Sequence, residues 1–337
     1  MLIFPCLLLI ITKNKGVINR NNLRKIGLSA LAGSLATFSV NAADFSVSGA
    51  ASISFDDTNR GKADKGNKFY MGDSLKFNAS GETEGGLGVA VYYEIDGSTF
   101  DDHNIKLTGD FGTIQFDGHG ASGAFGAVDD KTPNAYEEAW DIVDTNGATA
   151  AGTPTVINGV SANSMFIYTS PSFSGATLTS SYLPSGGAAG QETNLDFAIA
   201  ISPEGIDGLT MGAAISSNTN GGGDDVDETT AYFSYAMGSF TFGLQSSDYD
   251  SSVSNKDLES MAYGLTYAVN DDFSVGYSYH ELETETSGDG DQESTGMSAS
   301  YTMGGMTLAG ASNESLNLGG TTTTDVEGYE FTLSFAF

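Results

Sequence analysis

Between residues 129 and 144 six carboxylates, Asp129, Asp130, Glu137, Glu138, Asp141 and Asp144, accompany a single cation, Lys131. Carboxylates at that density, with no basic run to pair them, attract cations and repel anions wherever water reaches them. Two further oxygen-rich runs follow, Asp224-Asp225-Val226-Asp227-Glu228 and Asp289-Gly290-Asp291-Gln292-Glu293. Flexible oxygen donors suit Ca²⁺, with Asp224, Asp225, Asp227, Glu228, Asp289 and Asp291 as the candidate ligands. Neither run has the glycine and distal glutamate of an EF-hand loop, and the plainer reading of both is a solvated loop.

Other chemistries lack their residues. His103, His119 and His280 are scattered along the chain, too few for a histidine-rich metal site. A rim hydrolase would have to be sought at Tyr279-His280-Glu281, where no serine stands in elbow spacing. Gly118-His119-Gly120-Ala121-Ser122-Gly123 fits G-x-G-x-x-G, yet dinucleotide binding needs a helix behind that motif to receive the pyrophosphate. A Gly-Ala stretch follows instead, so the motif reads as a flexible lead into a long loop. The one cysteine, Cys6, excludes an intrachain disulfide and a thiolate metal site.

The elements that carry these residues are strands. Phe45, Val47, Gly49, Ala51, Ile53 and Phe55 alternate with Ser46, Ser48, Ala50, Ser52 and Ser54. Ile105 and Leu107 alternate with Asn104, Lys106 and Thr108, and at the end of the chain Tyr329, Phe331, Leu333, Phe335 and Phe337 alternate with Glu330, Thr332, Ser334 and Ala336. No helical period competes with this period of two. Glycine stands at 44 of 337 residues and proline at 6, while aromatics make up 11%, a balance that favours many twisted strands joined by tight turns.

Short and long breaks between the strands take turns. The short ones fall at 84–86, 110–112, 172–175, 206–208, 237–239, 270–272 and 303–305. The long polar ones fall at 57–67, 97–102, 120–162, 185–191, 218–227, 248–257, 284–292 and 315–325. Seven short and eight long connections join sixteen strands, which predicts an all-β, closed antiparallel barrel with one rim of turns and one of loops. Mean hydropathy is −0.13, too polar for membrane helices but suited to a barrel that is apolar only on its outer face. Tyrosine and phenylalanine bunch near strand ends, as in Tyr92-Tyr93 and Tyr277 to Tyr279, in the manner of interfacial girdles. A soluble β-sandwich or propeller would also alternate, without needing that aromatic placement.

The first residues read as an address. Lys13, Lys15, Arg20, Arg24 and Lys25 precede an apolar stretch from Ile26 to Val40 that closes on Val40-Asn41-Ala42. This is the layout of a secretory signal peptide cut after Ala42, with residues 43–337 as the barrel, and Met1 to Ile11 is an apolar run beyond what such a leader needs. All 43 acids but only eight of the 13 cations lie beyond the leader, for a net charge of −35. That charge opposes nucleic-acid binding and favours divalent bridging to anionic lipid headgroups.

Four segments resemble the general bacterial porins, most closely the Rhodobacter-type porins of alphaproteobacteria. They are Asp44-Phe45-Ser46-Val47-Ser48-Gly49, Leu107-Thr108-Gly109-Asp110-Phe111-Gly112-Thr113, Tyr168-Thr169-Ser170-Pro171-Ser172-Phe173-Ser174-Gly175 and the closing strand that ends on Phe337. The resemblance implies an outer-membrane homotrimer of sixteen-stranded barrels, passive diffusion of small solutes, and a third external loop folded into the lumen. It also implies that Phe337 is read by the barrel-assembly machinery. The break at 120–162 is the third long one, which makes its acids and Lys131 the expected constriction. Porins of this family oppose such acids with an arginine-rich wall, whereas Arg60 is the only arginine beyond the leader. Lys76 and Lys106 are the candidates for a residual positive side, and Gln115, Asp117 and His119 share the lumen parity of the strand that feeds the loop. The expected activity is a cation-preferring channel without catalysis. The alternative is a structural or adhesive barrel that works through acidic, Ca²⁺-binding loops.

Overall fold

The computed structural model describes residues 44–58, 68–141, 156–184, 193–219, 225–285, 290–322 and 324–337. The leader, Cys6, Arg60, Asp144, Asp224 and Asp289 lie outside the described residues.

Sixteen strands form one closed antiparallel barrel. In chain order they are β1 (Asp44–Thr58), β2 (Lys68–Glu82), β3 (Gly88–Asp96), β4 (Thr99–Gly109) and β5 (Gly112–His119). Then come β6 (Met165–Thr169), β7 (Ala176–Leu183), β8 (Asn194–Ile201), β9 (Leu209–Thr219), β10 (Asp225–Met237) and β11 (Phe240–Ser251). The last are β12 (Leu258–Ala268), β13 (Phe273–Thr284), β14 (Gln292–Met303), β15 (Met306–Leu316) and β16 (Val326–Ala336). Each pairs with its neighbours in sequence, and β16 returns to β1 in a register that sets Ser54 opposite Thr332 and Phe55 opposite Phe331. No described helix is long and apolar enough to cross a membrane.

The alternation read in the sequence sorts side chains between the two faces. On β16, Phe331 is 56% exposed while its neighbours Glu330 and Thr332 are each 7% exposed. Phe45, Phe69, Met71, Leu178, Ile215, Phe240 and Leu308 likewise face outward, where lipid rather than water suits them. The buried serines, threonines and acids line the inside.

Connections on one rim are short, from 83–87 and 110–111 to the two-residue turns 238–239 and 304–305. In those two turns Gly238 and Gly304 hold φ of 61°, a left-handed conformation suited to a tight hairpin. One expected long connection is short. The break at 97–102 is a two-residue turn at Gly97-Ser98, because Thr99 and Phe100 already pair with Asp96 and Ile95 and β4 runs on through Asp101 and Asp102. A second correction concerns the acid run at 224–228: Asp225, Asp227 and Glu228 lie on β10, not on a loop. Asp225 and Asp227 face out while Glu228 is buried inside, so the three cannot converge on one ion.

The seam between first and last strands is finished by the terminal residue. Gly49 donates to the Phe337 carbonyl at 2.8 Å, and Phe337 donates back at 3.0 Å. A Cβ on Gly49 would stand 2.7 Å from the Phe337 ring, so the missing side chain makes room for it. Deletion of Phe337 removes both bonds, each worth roughly 0.5–1.5 kcal/mol. For protein refolded in detergent, away from any assembly machinery, the expected result is a lower midpoint for loss of the heat-modifiable folded band on electrophoresis.

Candidate pore constriction

The chain leaves β5 at His119 and turns into the barrel on Gly120 and Gly123, both in the left-handed region. Gly123 has no alternative, since a Cβ there would stand 2.4 Å from Asp196 Oδ2. The Ala124 N–H donates to Ser181 Oγ at 2.8 Å, and that hydroxyl donates to Asp196 at 2.8 Å. Phe125, Val128 and Ile157 then pack on Ala198, Ala214 and Leu282 of the inner wall, forming a dry wedge inside an otherwise polar lumen.

Polar contacts carry the loop onward across the inner face. The Lys131 N–H donates to Gln245 Oε1 at 2.8 Å, and the Ala135 N–H to Ser298 Oγ at 3.2 Å. Tyr136 donates its hydroxyl to Glu330 and Thr332 on β16. The Asn313 amide donates to the carbonyls of Glu138 and Asp141 at 2.7 and 2.8 Å. The Trp140 ring meets the buried His280 ring edge-on at 5.0 Å, which seats the tryptophan against the wall.

Glycines on four adjacent strands let the loop backbone come this close. A Cβ on Gly243 would stand 2.4 Å from Pro133 Cδ, on Gly264 2.2 Å from the Pro133 carbonyl oxygen, on Gly276 2.8 Å from the Ala135 nitrogen, and on Gly296 2.9 Å from Ala139 Cα. Gly243 and Gly264 are direct cross-strand partners. Glycine in a strand weakens it unless another backbone needs the space, as here.

The loop acids are crowded into this layer. Carboxylate oxygens of Glu137, Glu138 and Asp141 lie within 4.8 Å of one another. Burial pushes Asp129 up to about 7, with the Asp130 charge adding to it. Burial, and then the neighbouring Asp141, also holds the Glu137 carboxyl above its usual range. Glu138 moves the same way, by burial and by sharing a hydrogen bond with Asp141.

The remaining candidates spread along the wall. Lys76 pairs with Glu94 at 3.5 Å, which offsets part of the residual positive side, and Lys106 is exposed on β4. Gln115 donates to both oxygens of Asp117 at 2.9 and 2.7 Å. His119 lies 4.0 Å from Asp102. Sequence reasoning missed the inward wall acids Asp196 and Glu330 as anchors for the loop. Their parity on alternating strands was readable, but nothing in the sequence tells which wall positions the loop will touch.

A family model described as Gram-negative porin matches residues 27–336. The chain belongs to the Gram-negative porins. The porin therefore resides in the bacterial outer membrane and forms a channel there. Its fold is similar to that of an anion-selective porin from Comamonas acidovorans, with 17% identity, a TM-score of 0.65, and cover of 88% of this chain and all of that one. It is also similar to OmpT of Vibrio cholerae, at 10% identity, TM-score 0.64, 89% of this chain and all of that one. A mutant of Rh. blastica porin matches at 16% identity and TM-score 0.62, over 87% of this chain and all of that one. No curated protein matches the sequence.

The porin's glycine lane makes a direct test of loop seating. Gly264→Ala places a methyl against the Pro133 carbonyl, and overpacking of this kind costs about 1–3 kcal/mol. The displaced loop is expected to narrow the passage and lower single-channel conductance in planar bilayers, whereas Leu265→Ala on the adjacent outward position leaves conductance unchanged.

Proposed function

We propose that this porin passes small hydrophilic solutes and ions by passive diffusion with a preference for cations, and that the loop at 120–162 forms its constriction. One observation carries the reading. Asp129, Asp130, Glu137, Glu138 and Asp141 ride on a loop segment tied to the inner wall from β7 to β16, beside a single lysine. Fixed carboxylates beside a narrow aqueous path concentrate cations and exclude anions. The Comamonas porin shares the fold but is described as anion-selective, so the reading rests on side-chain charge and not on architecture. Only Arg60 is available beyond the leader to supply an arginine-rich wall. By family, the working assembly is a homotrimer, with Phe337 as the signal for barrel assembly.

The raised acids set the pH dependence. A carboxyl that titrates at about 7, as Asp129 does, is charged at pH 8 and largely neutral at pH 5. Glu137 and Glu138 are raised further, to about 8 and about 9, so the full loop charge develops only in more alkaline solution. Reversal potentials across a KCl gradient are therefore expected to carry the cation-preferring sign most strongly near pH 10 and to weaken as pH falls from 9 to 6. Neutralising Asp129, Glu137 and Glu138 to their amides should remove most of this pH dependence. Screening at high salt compresses the difference. A reversal potential near zero or of anion sign at pH 10 would falsify the reading.

A further inference from the structure

Sequence spacing sets the histidines far apart, but the ladder brings two of them face to face. His103 on β4 pairs directly with His119 on β5. Two irregularities meet at this place. Between β3 and β4 the pairs Tyr93–His103 and Ile95–Phe100 leave Asp101 and Asp102 together opposite Glu94. Between β4 and β5 the pairs His103–His119 and Asn104–Asp117 leave Gly118 without a partner. Each extra residue is a β-bulge, which re-aims side chains out of strict alternation.

The result is a mixed nitrogen and oxygen cluster. Ligand atoms of Asp101, Asp102 and His119 all lie within 4.8 Å of one another. His119 Nδ1 is buried with no hydrogen-bond partner and stands 4.0 Å from Asp102 Oδ1. That is too long for a hydrogen bond, but ligands on a tetrahedral ion with ~2.1 Å bonds sit roughly 3.4 Å apart, a closure within the reach of a small side-chain rotation. The backbone is cleared for it. A Cβ on Gly120 would fall 1.6 Å from Asp102 Oδ1, and one on Gly118 would fall 2.1 Å from His103 Nε2. The His119 ring stacks near His103 at 6.5 Å, and His103 stacks on Tyr93 at 5.6 Å, which fixes the ring planes. The Asp102 and His119 side chains are part-exposed while Nδ1 itself is covered, so the ion reaches that nitrogen from water through the same side-chain rotation that closes the site.

We infer that Asp101, Asp102 and His119 bind one divalent transition-metal ion of the Zn²⁺ type, at the root of the loop that enters the barrel. One imidazole with two carboxylates, completed by water, suits Zn²⁺, Co²⁺ or Ni²⁺. Ca²⁺ and Mg²⁺ prefer oxygen alone. The ion would tie β4 to the point where the chain departs from β5. The site is independent of the acids at 129–141 and of the ion preference of the channel.

Titration of Zn²⁺ into the folded porin in detergent, followed by calorimetry, tests this. One ion per chain is expected, with His119→Gln and Asp102→Asn each weakening binding by roughly 10-fold or more, and His280→Gln leaving it unchanged. Zn²⁺ should also protect His119 of the unsubstituted protein from diethylpyrocarbonate, read by mass spectrometry, which keeps the test open if a variant does not fold. Unchanged Zn²⁺ affinity in His119→Gln, absence of protection, or Ca²⁺ binding as tight as Zn²⁺ and indifferent to His119 would each overturn the assignment.

Discussion

In hydrocarbon a backbone N–H or C=O without a partner costs several kcal/mol, and a sheet with free edges has a row of them. The pairing of β1 with β16 removes the last two edges, and nearly every other feature follows from that closure. Once the sheet is a cylinder, alternation gives every strand a lipid face and a water face. Phe331 and Glu330, adjacent in the chain, then live in different solvents. The lumen needs no apolar core of its own, which is why so polar a sequence can cross a membrane.

A water-filled cylinder leaves its interior free to be furnished. The loop after β5 uses both kinds of adhesion available there. Phe125, Val128 and Ile157 make a small dry patch on alanines and Leu282, and beyond it the backbone is handed along by Gln245, Ser298 and Asn313. The glycines at 243, 264, 276 and 296 bring wall and loop to backbone distance. Position is thus set by shape and hydrogen bonding, leaving the acids free to set charge.

Much of the barrel was legible because its signals are local. Period-two alternation, glycine turns such as Gly238 and Gly304, and the aromatic closing strand each report on a few neighbouring residues, and sixteen strands followed from counting them. The errors came where local signals mislead. Asp101 and Asp102 look like loop residues because acids favour turns, yet they lie within β4, in a bulge opposite Glu94. The acid run beginning at Asp225 looks like a flexible ligand set, yet it alternates across the sheet. Bulges shift facing by one residue and leave no mark in composition, which is why counting parity could not bring His103 and His119 together. The loop acids were found by composition alone, whereas their anchors Glu330 and Asn313, about 170 to 200 residues away, are a product of closure.

The buried carboxylates of the loop have a consequence for its own hold on the wall. A group that takes up a proton more readily when seated than when free makes seating a proton-consuming equilibrium. Asp129, Glu137 and Glu138 all shift in that direction, so mass action favours the seated form as protons become abundant and loosens it as they grow scarce. Acid would therefore discharge the aperture and fasten its rim at once, and the two effects would share one titration.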